Sequence, residues 1–328
     1  MRFSFLSGLA LALALTGQEE LERPRDELPA NLPLEAPFGL PTPVEAGEAA
    51  SDDVVALGRS LFFDPILSID RTIACASCHR PERGFADSRP LSIGAGGTRT
   101  LRNAPTLLNR AYGKSFMWDG RAATLEEQVL LPIENELEMN LPLEQALARL
   151  AADERYANEF HEVYGSPPTR EALANVLAHF VRRLYRGDSP VDHFRAGQRE
   201  ALTPVERAGM WLYESRGGCW RCHVGANFTD EDFHNTGVGA EDGQPEEGRY
   251  TVTGREEDRG RFKTPTLRGL ALTAPYMHDG SLETLEEVVE FYRQGGRPNA
   301  QLDEAIRPVE MSDQDATNLV AFLRALSR

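Results

Sequence analysis

The four cysteines of the chain fall in two copies of one motif, Cys75-Ala76-Ser77-Cys78-His79 and Cys219-Trp220-Arg221-Cys222-His223. Two thiols one turn apart, followed at once by an imidazole, can do three kinds of chemistry. They can form thioethers to the vinyl groups of a c-type haem, with the histidine as proximal iron ligand. They can supply part of a zinc tetrahedron. They can act as a thiol redox pair. A zinc site needs two further ligands, and no second cysteine pair or spaced histidine pair stands near either motif. No cysteine is left over for a structural disulfide. Two copies of the full motif favour two covalently bound haem c groups.

The surroundings of the motifs also repeat. Ala104–Val129 reads APTLLNRAYGKSFMWDGRAATLEEQV, and Thr264–Val289 reads TPTLRGLALTAPYMHDGSLETLEEVV, with 12 of 26 positions identical. The shift is 160 residues, against 144 between the two cysteine motifs, and a Gly/Glu-rich insertion at Gly237–Gly260 accounts for the difference. Elsewhere apolar residues recur at helical spacing over Leu143–Tyr164 and Arg170–Arg186. Thr203-Pro204 opens a helix toward Tyr213, Thr284 caps one that stops at Gly295-Gly296, and Ser312–Leu326 is an amphipathic last helix. Strand patterns are sparse. The expected fold is mainly α: two cytochrome c-like domains related by internal duplication, 51–200 and 201–328, with the haems near their interface.

At 328 residues the chain is long enough for two cores. Its net charge of -16 argues against non-specific binding to nucleic acid or anionic lipid, and permits a cationic protein partner. Arg2 followed by an apolar run to Leu15 reads as a secretory signal, residues 1–22, too short to span a bilayer. No cysteine near Gln18 offers a lipid anchor, and no other stretch is apolar enough to cross a membrane. Residues 23–50 form an extended, proline-rich lead-in. The expected location is the periplasm.

What a haem does depends on its sixth coordination position. Tyr292 lies on the helix opened by Thr284, and its counterpart 160 residues earlier is Pro132, which has no donor atom. If that helix approaches iron, the second haem is His223/Tyr292 and the first is His79/open. Met277, His278 and Met311 are alternatives for the second haem. Met117 is the copy of Met277, and would close both haems.

Leu61-Phe62-Phe63-Asp64-Pro65, Arg102-Asn103-Ala104-Pro105-Thr106, Trp118-Asp119-Gly120-Arg121 and Ala274-Pro275-Tyr276-Met277-His278-Asp279-Gly280 resemble the bacterial di-haem cytochrome c peroxidase/MauG family over about residues 51–328. The resemblance implies a peroxidatic first haem and an electron-transfer second haem. A tyrosine at position 292, where ordinary peroxidases carry methionine, is similar to the MauG-like branch. So is Ala95 in the loop Ser92–Gly97, where ordinary members carry a distal histidine. The resemblance further implies that Trp118 relays charge between the haems and that Gln128 and Glu138 are the distal pair. It places His278 beside the second haem. Asn103, Thr273 and Pro275 match a calcium site between the domains. By spacing alone, none of Glu134, Glu136 and Glu138 stands out.

The implied activity is oxidation driven by hydrogen peroxide, with electrons drawn from a protein. In the MauG-like branch that protein is oxidised at a tryptophan; in ordinary members a small cytochrome or cupredoxin is the donor. A non-catalytic di-haem electron carrier is the alternative of another class, and Pro132 and Ala95 speak against it. Trp211 and Trp220 are candidate exits near the second haem, with Trp211 expected in the core. His234 is expected on a surface loop, with a place near haem as the alternative, and His161, His179 and His193 carry no assigned role.

Overall fold

The computed structural model describes residues 35–43 and 50–328. The proposed signal segment and most of the lead-in lie outside them. The helices are α1 (Asp52–Phe63), α2 (Leu125–Gln128), α3 (Leu131–Glu134), α4 (Leu143–Ala152), α5 (Glu154–Tyr164), α6 (Arg170–Arg182), α7 (Pro190–Arg195), α8 (Pro204–Tyr213), α9 (Tyr250–Thr253), α10 (Leu285–Arg293) and α11 (Asp313–Ala325). The sheet is a two-residue pairing of β1 (Phe233–His234) with β2 (Phe262–Lys263). The mainly helical expectation holds.

Local chemistry sets most helix starts. Thr203, Thr284 and Ser312 each accept from the third backbone N–H, with an acidic residue returning the bond. The single helix expected over Leu143–Tyr164 is broken at Asp153. That side chain accepts from the Tyr156 N–H and so starts α5 afresh. The helix expected to reach Arg186 stops at Arg182. The Gly237–Gly260 insertion holds α9.

In the first half α1 crosses α6, and in the second α8 crosses α11. Each crossing has a glycine at its closest point. A Cβ on Gly58 would stand 2.0 Å from the Val176 carbonyl oxygen, and one on Gly209 would stand 1.9 Å from that of Asn318. Gly209→Ala should therefore push α8 off α11 and cost about 1–3 kcal/mol by overpacking, measured by urea denaturation. Leu57, Leu61, Phe160, Leu173 and Leu177 fill the core beside α1. Met210, Tyr213, Val289, Leu319 and Phe322 fill the core beside α8.

The described part of the lead-in is docked. Phe38 stacks on His193 with centroids 5.1 Å apart, and the Asp188 N–H donates to the Phe38 carbonyl. Fully buried Arg268 binds both Asp192 carboxylate oxygens at 2.8 Å and also donates to the Gly39 carbonyl.

Candidate functional site

Each cysteine motif begins as a short 3-10 turn, Cys75–Ser77 and Cys219–Arg221. The His79 N–H donates to the Cys75 carbonyl at 2.9 Å, and that of His223 to Cys219 at 3.0 Å. Both imidazoles are then oriented alike. His79 Nδ1 lies 3.0 Å from the Phe85 carbonyl, and His223 Nδ1 lies 3.1 Å from that of Phe228. As donor to that carbonyl, Nδ1 leaves Nε2 as the free base, the form a metal ligand requires. Burial lowers the pKa of both histidines, which keeps them neutral.

A cavity of about 380 Å³ opens beside the first motif, with a recess of about 70 Å³ that shares its His79, Gln128, Pro132 and Glu138 walls. A second cavity of about 210 Å³ opens beside the other motif, walled by His223, Met277, His278, Met311 and Tyr292 among others. All four cysteines are unpaired. Burial first, and then its neighbour Cys78, push the Cys75 thiol up to about 12. Burial pushes the Cys78 and Cys219 thiols up to about 11. Raised thiols at Cys75, Cys78 and Cys219 beside largely apolar cavities, each motif with a carbonyl-oriented imidazole, fit haem c and poorly fit a thiol redox pair.

In the first cavity Gln128 and Glu138, the pair that the resemblance implied, come from two elements. Gln128 ends α2. Glu138 follows α3 and turns inward, while Glu134 and Glu136 stay exposed. Burial raises the Glu138 carboxyl, against an opposing hydrogen bond from Asn135 Nδ2 at 2.6 Å. The Ala95 N–H donates to the Glu138 carbonyl at 2.7 Å, so the loop without a histidine holds this acid in place. Pro132 faces the same space, and Met117 lines the larger cavity.

In the second cavity Tyr292 projects from α10, and burial, then Cys222, raise its phenol. His278 is buried and stacks on Phe262 with centroids 3.5 Å apart; its Nε2 lies 3.1 Å from Glu246 Oε1. His234 lines the second cavity rather than a surface loop, because β1 pairs it against β2 and turns its ring inward. Its ring nitrogens lie 3.0 Å from Asp230 and 2.7 Å from Asp303. Asp230 first, then Cys222 and Asp303, raise its pKa to about 11. Among the described residues, Cys222, Asp230 and His234 bring three ligand-type atoms within 4.8 Å. Both His234 nitrogens are already engaged by carboxylates, which disfavours a metal there.

Trp118 lines both cavities. Its Nε1 donates to the Asn103 carbonyl at 2.9 Å, and its ring meets His278 edge-on at 6.3 Å. The junction is reciprocal. The Asn103 N–H donates to the His278 carbonyl and the Lys263 N–H donates to the Trp118 carbonyl, both at 2.8 Å. Asn103 and Lys263, like Trp118 and His278, are 160 residues apart.

The Asn103 side chain donates to the Arg89 and Pro90 carbonyls at 3.1 and 3.2 Å. Thr273 and Pro275 line neither cavity. Trp211 is 60% exposed, contrary to the core expectation. The inward face of α8 is Glu206, Gly209, Met210 and Tyr213, which leaves Trp211 outside, under the Arg216 guanidinium. Trp220 is 46% exposed. Sequence reasoning missed Lys263 and the Arg110–Glu231 pair behind it; the Asn103/Lys263 register of the repeat was the available signal.

A family model described as di-haem cytochrome c peroxidase matches residues 52–200. The methylamine utilization protein MauG of Methylorubrum extorquens is 36% identical over 98% of this chain and 89% of its own. The cytochrome c551 peroxidase of Nitrosomonas europaea is 37% identical over 87% of this chain and 83% of its own. A crystal structure of a MauG-like protein associated with microbial copper homeostasis superposes with a TM-score of 0.82 at 34% identity, covering 88% of this chain and 94% of that one. Likeness of this extent shows that the chain belongs to the di-haem cytochrome c peroxidase/MauG family, a group of peroxidase-type oxidoreductases whose cofactor is c-type haem.

Proposed function

We propose that the chain is a periplasmic di-haem peroxidase in which hydrogen peroxide enters the first cavity and a protein supplies electrons through the second. The observation that carries this reading is the first cavity's wall. An imidazole, an amide and a half-buried carboxyl face one space, and proline stands where the other half has tyrosine. Bound haem would supply iron at His79 and His223 and store oxidising equivalents. Glu138 takes a proton from one peroxide oxygen and returns it to the other, which leaves as water. Gln128 orients the peroxide by hydrogen bonding. Trp118, the indole common to both cavities, carries charge between them. Tyr292, on the same cavity wall as His223, would hold the second haem iron together with it. Two electrons and two protons in all convert the peroxide to two waters.

The electron source in this reading is a protein docked near the second cavity, where Trp211 and Trp220 are exposed. Oxidation of a partner tryptophan is the favoured form, since the chain carries Tyr292 and Ala95 at the positions that set the MauG-like branch apart. A small cytochrome or cupredoxin donor is the second reading. The remaining proposals are two duplicated cytochrome c-like domains, 51–200 and 201–328, with the haems near their junction, and a calcium ion at Asn103, Thr273 and Pro275. The reciprocal bonds between Asn103 and His278 and between Lys263 and Trp118 support the duplication. Among the described residues no helix is long and apolar enough to cross a membrane.

Low-temperature EPR of the air-oxidised protein tests the assignment. One high-spin and one low-spin ferric signal are expected, and Tyr292→Phe should alter the low-spin signal alone. Two low-spin signals would mean that a side chain such as Met117 closes the first haem, leaving an electron carrier or a peroxidase needing prior reduction.

A further inference from the structure

Trp118, Lys263 and Pro265 line both cavities, and Lys263 alone of the three carries charge. It lies on β2 with a side chain only 9% exposed. Its ammonium has an ionic partner in Glu231, at 3.5 Å. That carboxylate is already gripped by Arg110, whose two terminal nitrogens reach its two oxygens at 2.9 and 3.0 Å. The Lys114 N–H adds a third donor at 3.3 Å. One carboxylate thus answers two buried cations, and it answers Arg110 more closely.

A buried ammonium with a half-share of an anion is costly. Burial, and then the Arg110 charge, hold the Lys263 ammonium down to about 7. An apolar side chain of similar length would fill the same space at lower cost. The corresponding residue of the first half, Asn103, is uncharged. The charge therefore calls for an anion from the side on which Lys263 faces open space, which is the two cavities. A haem carries two carboxylate substituents, and each cavity lies beside a haem-attachment motif. Other cations serve one cavity each: Arg102, Arg110 and Arg121 the first, Arg221, Arg293 and Arg307 the second.

We propose that Lys263 is a shared anchor for the carboxylates of both haems, a positioning residue that sets the two reduction potentials together. The inference rests on the haem reading above. A cation beside a macrocycle favours the state that has gained an electron, so its removal lowers the potential. Holo-protein of wild type, Lys263→Met and Lys263→Arg is titrated spectroelectrochemically, with haem counted by the pyridine haemochrome absorbance. Two haems per chain are expected throughout. Both midpoint potentials fall in the methionine variant, and both stay close to wild type in the arginine variant. A shift confined to one haem, or none, with two haems bound overturns the shared anchor. Fewer than two haems in the wild type overturns the haem reading instead. If the methionine variant does not accumulate, Lys263→Gln carries the same comparison with the same two outcomes.

Discussion

Glu138→Gln should lower kcat/KM for hydrogen peroxide by about 10²–10⁴-fold, the usual loss when a positioned acid–base group is removed. Haem content and the resting EPR spectrum should not change. The amide can still accept from Asn135 and still fills the wall, so only proton transfer is lost. Wild-type activity should fall on the acid side as Glu138 takes up a proton, and burial places that limb above the ordinary glutamate range. The glutamine variant should lack the limb. Stability moves the other way. A carboxyl whose folded pKa is raised binds more protons in the native state, so its contribution is full at low pH and is lost as pH rises through the folded value. A stopped-flow pH series on both proteins decides the matter. A loss under about tenfold, or an unchanged acid limb, would remove Glu138 from the proton path and leave the general acid–base contribution unassigned.

The second large effect is on stability. Arg268→Ala should cost about 3–5 kcal/mol, because it strands the Asp192 carboxylate inside the protein. Arg268 is 1% exposed, and its guanidinium also donates to the Ala226 carbonyl at 2.7 Å. Burial pushes the Asp192 carboxyl up, but the bonds from Arg268 and Ser189 outweigh it and hold it below the usual range. A depressed carboxylate stabilises above its unfolded pKa, and that contribution is lost as pH falls through the folded value. Guanidinium denaturation at pH 7 and at pH 3 should therefore show the variant's deficit shrinking in acid. A deficit that does not depend on pH would mean that packing, rather than the ion pair, holds this corner. Replacing both partners by apolar residues should recover much of the loss.

What the sequence disclosed was what neighbouring residues decide. The Cys-x-x-Cys-His turns, the threonine caps before Glu127 and Glu287, and the starts of α8, α10 and α11 need only contacts within a few residues. Asp153 breaks a continuous apolar pattern because its side chain competes for a backbone N–H, which periodicity does not register. The outward face of Trp211 follows from which side of α8 meets α11, a long-range choice. So does the inward turn of His234, set by the β1–β2 pairing. The sharing of Glu231 by Arg110 and Lys263 joins residues more than 100 positions apart in the first case and 32 in the second. Only the 160-residue register would have pointed to Lys263.

The reciprocal hydrogen bonds at the junction are what a two-fold homodimer makes, residue i to j and j to i. In a homodimer each junction position exists twice, so every substitution there is made on both sides at once. In the proposed duplication the two copies lie in one chain and can diverge separately. In the 160-residue register tryptophan is the counterpart of histidine, asparagine of lysine, and proline of tyrosine. On the proposed reading, this frame would keep the two centres at a fixed spacing, while independent side chains would let one serve as the reaction chamber and the other as the electron entry. Covalent fusion would thus be what lets the two sides of the proposed charge path differ.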